Sequence, residues 1–563
     1  MSHDTALDID LNDTYSINSQ LTFHFGGFDM RYIAGYTTYS YDLHSDWDNT
    51  SITSYRIPLA PGVTLCNTTP GCTALTVFPS ENFRYIENNR WQAHELTFLS
   101  TDDGPLQWVF GIFYFDERYD QPTTISAVPS QTQVYAPRYP NFVTVDGTAA
   151  PLNPSGAMYS AEYDMQTKSE AVFGQIDWSI TDAWKMTVGL RYTRDTKKGD
   201  EFYRLILFND NFATSPFGGA TGVGSLMPAV DITPFVASTG AAPGVVVAGH
   251  ALPDGRYARS LEATFSSVTG TFGVDWTPDA DTLLYGRYSR GYKSGGFNAG
   301  TLAALPLTNP EHVDAFELGL KRSWGANLLI NAALFYYDYQ DAQIPVGVNI
   351  SGTIQTQFFN IPKAKSEGFE LAAIWSPIEN LQLNLTYSLN RTAIQSDCVL
   401  VAGVATGACL VDSNDPLGTA AGSQPIGPQI ATATGLQQPQ SVRGAALPQA
   451  PRNKWAFNIN YTWEDVLGGS LTLSGNYIWK DLSYASVFNR AYNLAPRWDQ
   501  VDLRAIWRSE DENLTVIGYV KNVFDTLGYE AAGTGIPLST GTVSSYVLTQ
   551  PRVFGIEVHV KFQ

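Results

Sequence analysis

The stretch that decides the fold is SVTGTFGVDWTPDADTLLYGRYSRGYKSGGFN, residues 267–298. Val268, Gly270, Phe272, Val274 and Trp276 alternate with Thr269, Thr271, Gly273 and Asp275. A period of two sustained this far predicts a strand with one apolar and one polar face. Thr277-Pro278-Asp279-Ala280-Asp281 predicts a tight turn, because proline presets φ and aspartate side chains bond their own backbone. A second strand, Thr282 to Gly291, carries many aromatics and runs into the glycine-rich segment Tyr292-Lys293-Ser294-Gly295-Gly296-Phe297-Asn298.

The same unit recurs outward in both directions. Tyr15–His24 and Met30–Tyr41 are expected to pair, as are Arg90–Leu99 with Leu106–Tyr119, and Ser169–Ile180 with Lys185–Lys197. Beyond the central unit, His312–Arg322 pairs with Asn327–Tyr339, and Phe358–Trp375 with Leu381–Asn390. Lys454–Trp463 then pairs with Ser470–Trp479, Trp498–Arg508 with Asn513–Phe524, and Arg552–Phe562 is the final strand. That is about seventeen strands in one continuous architecture spanning residues 1–563, with no linker to divide it.

Turns of two to six residues alternate with loops of up to about sixty. This asymmetry predicts an all-β, antiparallel transmembrane barrel with short turns on one side of the membrane and long loops on the other. No apolar run is long enough for a membrane helix, but a barrel hides its apolar face in alternating segments. Aromatics at strand ends, among them Trp178, Tyr192, Trp276, Trp375, Trp463 and Trp479, fit interfacial girdles. A β-propeller is excluded by the lack of a blade-length repeat.

Composition excludes other classes. With 54 acidic against 34 basic residues the net charge is −20, so nucleic acid is not an expected partner. There is no GxSxG elbow and no HExxH, and the seven histidines are scattered, so neither an enzyme nor a bound cofactor or metal is expected. The glycine-rich run 218–224 lacks the Gly-Lys-Ser/Thr of a phosphate loop. Two close cysteine pairs, Cys66 with Cys72 and Cys398 with Cys409, suggest disulfides formed in an oxidising compartment; neither spacing is CxxC and no histidine lies near.

Several segments together resemble the TonB-dependent outer-membrane receptors. Besides 267–298 these are FELGLKRSW (Phe316–Trp324), FFNIPKAKSEGFELAAIWSP (Phe358–Pro377), NVFDTLGY (Asn522–Tyr529) and PRVFGIEVHVKF (Pro551–Phe562). The motif residues are Tyr285, Ser289, Gly291, Tyr292, Lys293, Gly295, Gly296, Phe297, Asn298, Asn522, Phe524 and Asp525. The resemblance implies a barrel of about 22 strands around an N-terminal plug. It also implies active import of a scarce nutrient, typically a ferric siderophore, across the outer membrane of a Gram-negative bacterium. Energy would come from the TonB–ExbB–ExbD complex. The barrel-assembly machinery would recognise Phe562, although Gln563 follows it here where the family usually ends on the aromatic itself, and outer-membrane lipid and lipopolysaccharide would surround the wall.

The sequence departs from that pattern. It shows no signal peptide, no TonB-contacting segment and no plug, and its first strand matches about the sixth of the family's barrel. The expectation is a partial barrel whose Met1 is not the natural start, and which alone neither closes nor imports. A passive porin-like channel is the alternative function. For ligand binding the candidates are Arg287, Arg290 and Lys293, expected near the loop end of their strand, where cations would attract an anionic chelate or lipopolysaccharide phosphate. Loop aromatics Tyr135, Tyr139, Phe212 and Phe217 are candidates for stacking on a ligand.

Overall fold

The computed structural model describes residues 7–562 apart from 47–54, 59–73, 78–80, 128–142, 145–147, 154, 209–228, 351–352, 402–403, 433–434, 534–535, 539–540 and 544–545. Among the described residues seventeen long strands form one antiparallel meander in chain order. They are β1 (Asp8–Phe25), β2 (Phe28–Asp46), β3 (Glu81–Ser100), β4 (Leu106–Asp120), β5 (Ala157–Thr181) and β6 (Trp184–Phe208). Next come β7 (Tyr257–Asp279), β8 (Thr282–Lys293), β9 (Glu311–Trp324), β10 (Leu328–Ile350), β11 (Thr353–Ile378) and β12 (Leu381–Ile394). The last are β13 (Asn453–Trp463), β14 (Gly469–Lys480), β15 (Trp498–Ser509), β16 (Leu514–Lys521) and β17 (Val553–Val560). Four short pieces join the same 21-stranded sheet. Helix is confined, among the described residues, to single turns at Thr233–Val236 and Ala491–Asn493.

Register turns the sequence alternation into two faces. Trp184, Met186, Val188, Leu190 and Tyr192 on β6 lie opposite Trp276, Val274, Phe272, Gly270 and Val268 on β7. These rows face outward: Leu190 is 63% exposed and Phe272 48%. The intervening Thr187 and Thr193 are buried on the inner face, each 8% exposed. The apolar belt continues through Phe316 and Leu318 on β9, Leu334 on β10, and Leu503 on β15. An exterior this apolar is stable only against hydrocarbon, since lipid replaces the water such side chains would otherwise order. Tryptophans mark its tight-turn edge, where the Trp184 and Trp276 rings stack with centroids 5.5 Å apart.

The strands run on past the belt at the opposite end, the loop end. Segments 198–208 and 257–266, expected as loop, continue β6 and β7 in unbroken register as far as Tyr203 opposite Tyr257. Two loop assemblies pack there around small cores. One gathers Ala161, Tyr203, Leu205, Ile232, Ala237 and Leu302. The other sets Ile344, Ile361 and Ile394 of β10–β12 against Leu410, Val442, Val487 and Phe488 from the loops above. The Cys398–Cys409 disulfide, S–S 2.01 Å, ties this second assembly, as expected from the sequence. The Cys66–Cys72 pair lies outside the described residues.

The predicted strand Asn513–Phe524 ends earlier, at Lys521. Asn522 takes φ +52° and Asp525 φ +55°, left-handed conformations that stop a strand. At the margins of the meander, β1 pairs with β2 and β17 with β16, and among the described residues neither has a second neighbour. Both run from the loop end toward the tight-turn end. The sheet is therefore a wall with two open edges of the same direction.

Candidate ligand-binding surface

The motif residues of β8 and of the segment after it pack into the wall, most of them at its loop end. Above Gly270 and Arg290, β7 and β8 cease to pair, and side chains fill the divergence. The Tyr292 hydroxyl donates to Asp195 at 3.0 Å, and its ring meets His312 at 5.5 Å. His312 Nε2 in turn bonds Ser267 Oγ at 3.0 Å. Gly295 passes so close to Phe265 that a Cβ there would stand 2.4 Å from its ring and 2.5 Å from the Thr308 carbonyl oxygen. Beside Gly296 lies the Lys197 ammonium, whose pKa burial pushes down, partly offset by Asp195 and Glu117. Phe297 pairs with Leu307 in a small ribbon. Asn298 then clamps that ribbon to β11: its Nδ2 donates to the Phe358 carbonyl at 3.0 Å and its Oδ1 accepts from Phe358 N at 2.8 Å.

Lower on the same strand, Tyr285 donates to Glu317 at 2.6 Å, Ser289 bonds Thr271 at 3.0 Å, and Gly291 lies against Val313. Asn522 is 1% exposed, with its side chain bonded to the Thr526 amide and to the carbonyls of Thr526 and Gln550. Asp525 accepts from Arg552 N at 2.9 Å. Phe524 stands 72% exposed and Phe562 92%.

The three cationic candidates do not converge. Arg287 is opposite Gly273 and Glu317 on the inner wall, well below the loop end. Arg290, three residues on, has outward parity and is paired to Asp314 at 3.2 Å. Lys293 sits over the Phe358 ring at 5.6 Å, at the base of the loops. A strand presents alternate residues to opposite faces, so a spacing of three separates Arg287 from Arg290. Tyr135, Tyr139, Phe212 and Phe217 fall outside the described residues.

What the fold does bring together is the inner wall. Toward the loop end it is rich in tyrosine. Tyr39 and Tyr85 both donate to Glu87, Tyr85 meets the Tyr119 hydroxyl at 3.2 Å, and the Tyr119 and Tyr163 rings stack at 5.8 Å. Midway down, Tyr285, Glu317, Lys321, Asn331, Glu370 and Lys454 line a cavity of about 470 Å³. A row of amides, Asn384, Asn458 and Asn476, ending at Asp502, crosses β12 to β15 nearer the tight turns. A smaller cavity of about 220 Å³ is lined there by Asn458, Ser474, Asn476, Asp502 and Arg504. Arg191 lies between the rings of Phe113 and Phe173, 5.3 Å from each. Apart from the motif residue Tyr285, these residues are not among the sites expected from the sequence. Their parity was readable, but their neighbours come from strands far apart in sequence. Among the described residues no group of three or more His, Cys, Asp or Glu side chains is placed to hold a metal. The arrangement offers hydrogen bonds, charge and aromatic faces to a polar molecule inside an apolar-sided wall.

Comparison with known proteins gives the same picture. The family model described as "TonB dependent receptor-like, beta-barrel" matches residues 2–523. The ferric yersiniabactin uptake receptor FyuA from Yersinia pestis superimposes with a TM-score of 0.62 at 14% identity, covering 98% of this chain and 61% of that one. The ferric preacinetobactin receptor BauA from Acinetobacter baumannii gives 0.53 at 14% identity, with 97% and 62% covered. The unliganded ferric citrate transporter FecA gives 0.54 at 12% identity, with 98% and 61% covered. The chain thus spans about three fifths of the length of these receptors. No curated protein matches it by sequence.

Proposed function

Because the chain belongs to the TonB-dependent receptor β-barrel family, we propose that it forms most of the wall of an outer-membrane receptor that imports a ferric siderophore or similar iron chelate. Receptors of this family are outer-membrane proteins of Gram-negative bacteria, and their barrels cross the membrane with strands. The observation that carries the reading is the division of faces: an apolar belt outside, a polar and charged wall inside, and, among the described residues, loop assemblies packed at the end away from the tight turns. Iron chelates named for three structural relatives support the cargo class. Energy would come from the TonB–ExbB–ExbD complex of the inner membrane. Lipid and lipopolysaccharide would contact the belt, and the barrel-assembly machinery would insert it through the exposed Phe562 end.

The open edges bear on how such a wall works. Unpaired backbone groups in hydrocarbon cost several kcal/mol each. With β1 and β17 running the same way, antiparallel closure on both sides needs an odd number of further strands. Transporters of this kind have about 22 strands, so five would complete the barrel, and a plug would fill it.

Radio-iron uptake tests the reading. The receptor completed with closing strands and plug is expected to support uptake of a ferric chelate that stops when TonB is deleted. Uptake that persists without TonB would make it a passive channel.

A further inference from the structure

We propose that Arg191 is an anion-recognition point of the inner wall, holding a carboxylate of the cargo. The inference rests on the import reading above and deepens it, since it names a binding residue and the ligand chemistry.

Four strands prepare the side chain. Gly111 of β4, Phe173 of β5, Arg191 of β6 and Thr269 of β7 form one cross-strand row on the inner face. A Cβ at Gly111 would stand 2.4 Å from Phe173 Cζ, so the glycine lets that ring lie along the wall. Phe113, one row higher, supplies the second ring, and each centroid is 5.3 Å from the guanidinium carbon. The two rings fix the guanidinium by cation–π attraction without neutralising it. Arg191 Nε donates to Thr193 Oγ1 at 3.0 Å, which fixes rotation as well. Neighbouring Tyr192 tops the outward belt, so Arg191 stands at the loop-side end of the spanning segment, facing the lumen.

Arginine has five N–H donors. Among the described residues only the Nε–H has an acceptor, and no carboxylate lies within ion-pair distance. Several other arginines of this half of the wall are ion-paired, Arg204 with Asp231, Arg256 with Glu162, Arg259 with Glu201 and Arg290 with Asp314, whereas Arg191 is held by two aromatic rings instead. A fixed, planar, un-neutralised guanidinium matches a carboxylate with two parallel hydrogen bonds. A carboxylate-type iron chelate entering from the loop end would meet it below the tyrosine-lined region.

The test uses the full chain refolded in detergent micelles, which cover the open edges, with citrate and ferric citrate as probes. Modification of Arg191 by phenylglyoxal, followed by peptide mass spectrometry, needs no variant. Both probes are expected to slow it about tenfold, the size of one charge-assisted hydrogen-bonded contact. Arg191→Ala is expected to weaken ferric citrate binding about tenfold, and Arg191→Lys to restore only part, because lysine lacks the fork. Phe173→Leu, which keeps the charge but frees the guanidinium, is expected to weaken it about threefold. Protection by citrate without ferric citrate binding would keep the anion site and remove the ferric-chelate reading. Ferric citrate binding with Arg191 unprotected, or with Arg191→Ala unaffected, would keep that reading and overturn the site. If neither probe binds or protects, the carboxylate site is overturned.

Discussion

Arg259 and Glu201 form an ion pair at 2.5 Å in which both side chains are fully buried. The pair anchors the loop above it. Arg259 Nη1 donates to the Ala303 carbonyl at 2.8 Å, and Glu201 Oε2 accepts from Gly300 N at 2.6 Å and Leu302 N at 3.2 Å. Burial pushes the Glu201 carboxyl up, and Arg259 opposes that shift. Removing one partner leaves the other charged or unsatisfied in a dry site. Arg259→Ala is therefore expected to destabilise this loop assembly by about 3–5 kcal/mol. Hydrogen exchange of residues 297–308 would show it as lost protection, while β13 to β16 keep theirs. Unchanged protection of 297–308 would refute the anchoring role.

The His312 junction gives a pH dependence. Burial lowers the His312 pKa, and Arg290 lowers it further, against Asp341 and Asp314. A depressed histidine is protonated first in the unfolded chain. Its contribution is absent at high pH and becomes a penalty as pH falls through about 6.5. The thermal midpoint is expected to drop on acidification, and the drop to shrink in His312→Gln. Equal pH profiles for the two proteins would contradict this.

Asn522 closes the turn after β16 with three side-chain hydrogen bonds at 1% exposure. Asn522→Ala should cost about 1–3 kcal/mol, because buried partners are left unsatisfied. It also places alanine at φ +52°. Chemical denaturation monitored at the β16–β17 hairpin is the measurement. Asn522→Gly, which tolerates that φ, should recover part of the loss.

The Cys398–Cys409 bond closes an 11-residue separation. Its reduction should loosen the assembly built on Ile394, Leu410 and Val442 by about 2–3 kcal/mol, and leave the belt strands intact. Limited proteolysis between residues 404 and 432, with and without reductant, would report it. Equal cleavage rates would show that the hydrophobic cluster alone holds the loop.

Much of this wall was legible in the residues. Val268–Trp276 alternates because one face meets lipid and the other a polar interior, and seventeen such strands were countable from the same rule. The rule failed where strands leave the membrane. At Tyr203, Arg204, Leu205 and Ile206 consecutive residues are all buried, because loops cover the outer face as the interior covers the inner one. That segment carries no alternation and looked like loop. The site was less legible. Arg287 and Arg290 were grouped by proximity in sequence, although a spacing of three puts them on opposite faces. Arg191 shows only as one polar-face residue in its own strand. Its setting depends on Gly111, Phe113 and Phe173, brought beside it by long-range register.

The central claim is that these strands cross a bilayer with alternate residues facing lipid and lumen. Spin labels placed singly from Lys185 to Thr193 on β6, in liposomes, measure it directly through collision with oxygen and with a water-soluble nickel chelate. The account predicts oxygen-dominated collisions at Met186, Val188 and Leu190 and nickel-dominated collisions at Lys185, Thr187, Gly189 and Arg191. Accessibilities without a two-residue period, or with the apolar positions open to the nickel chelate, would contradict it.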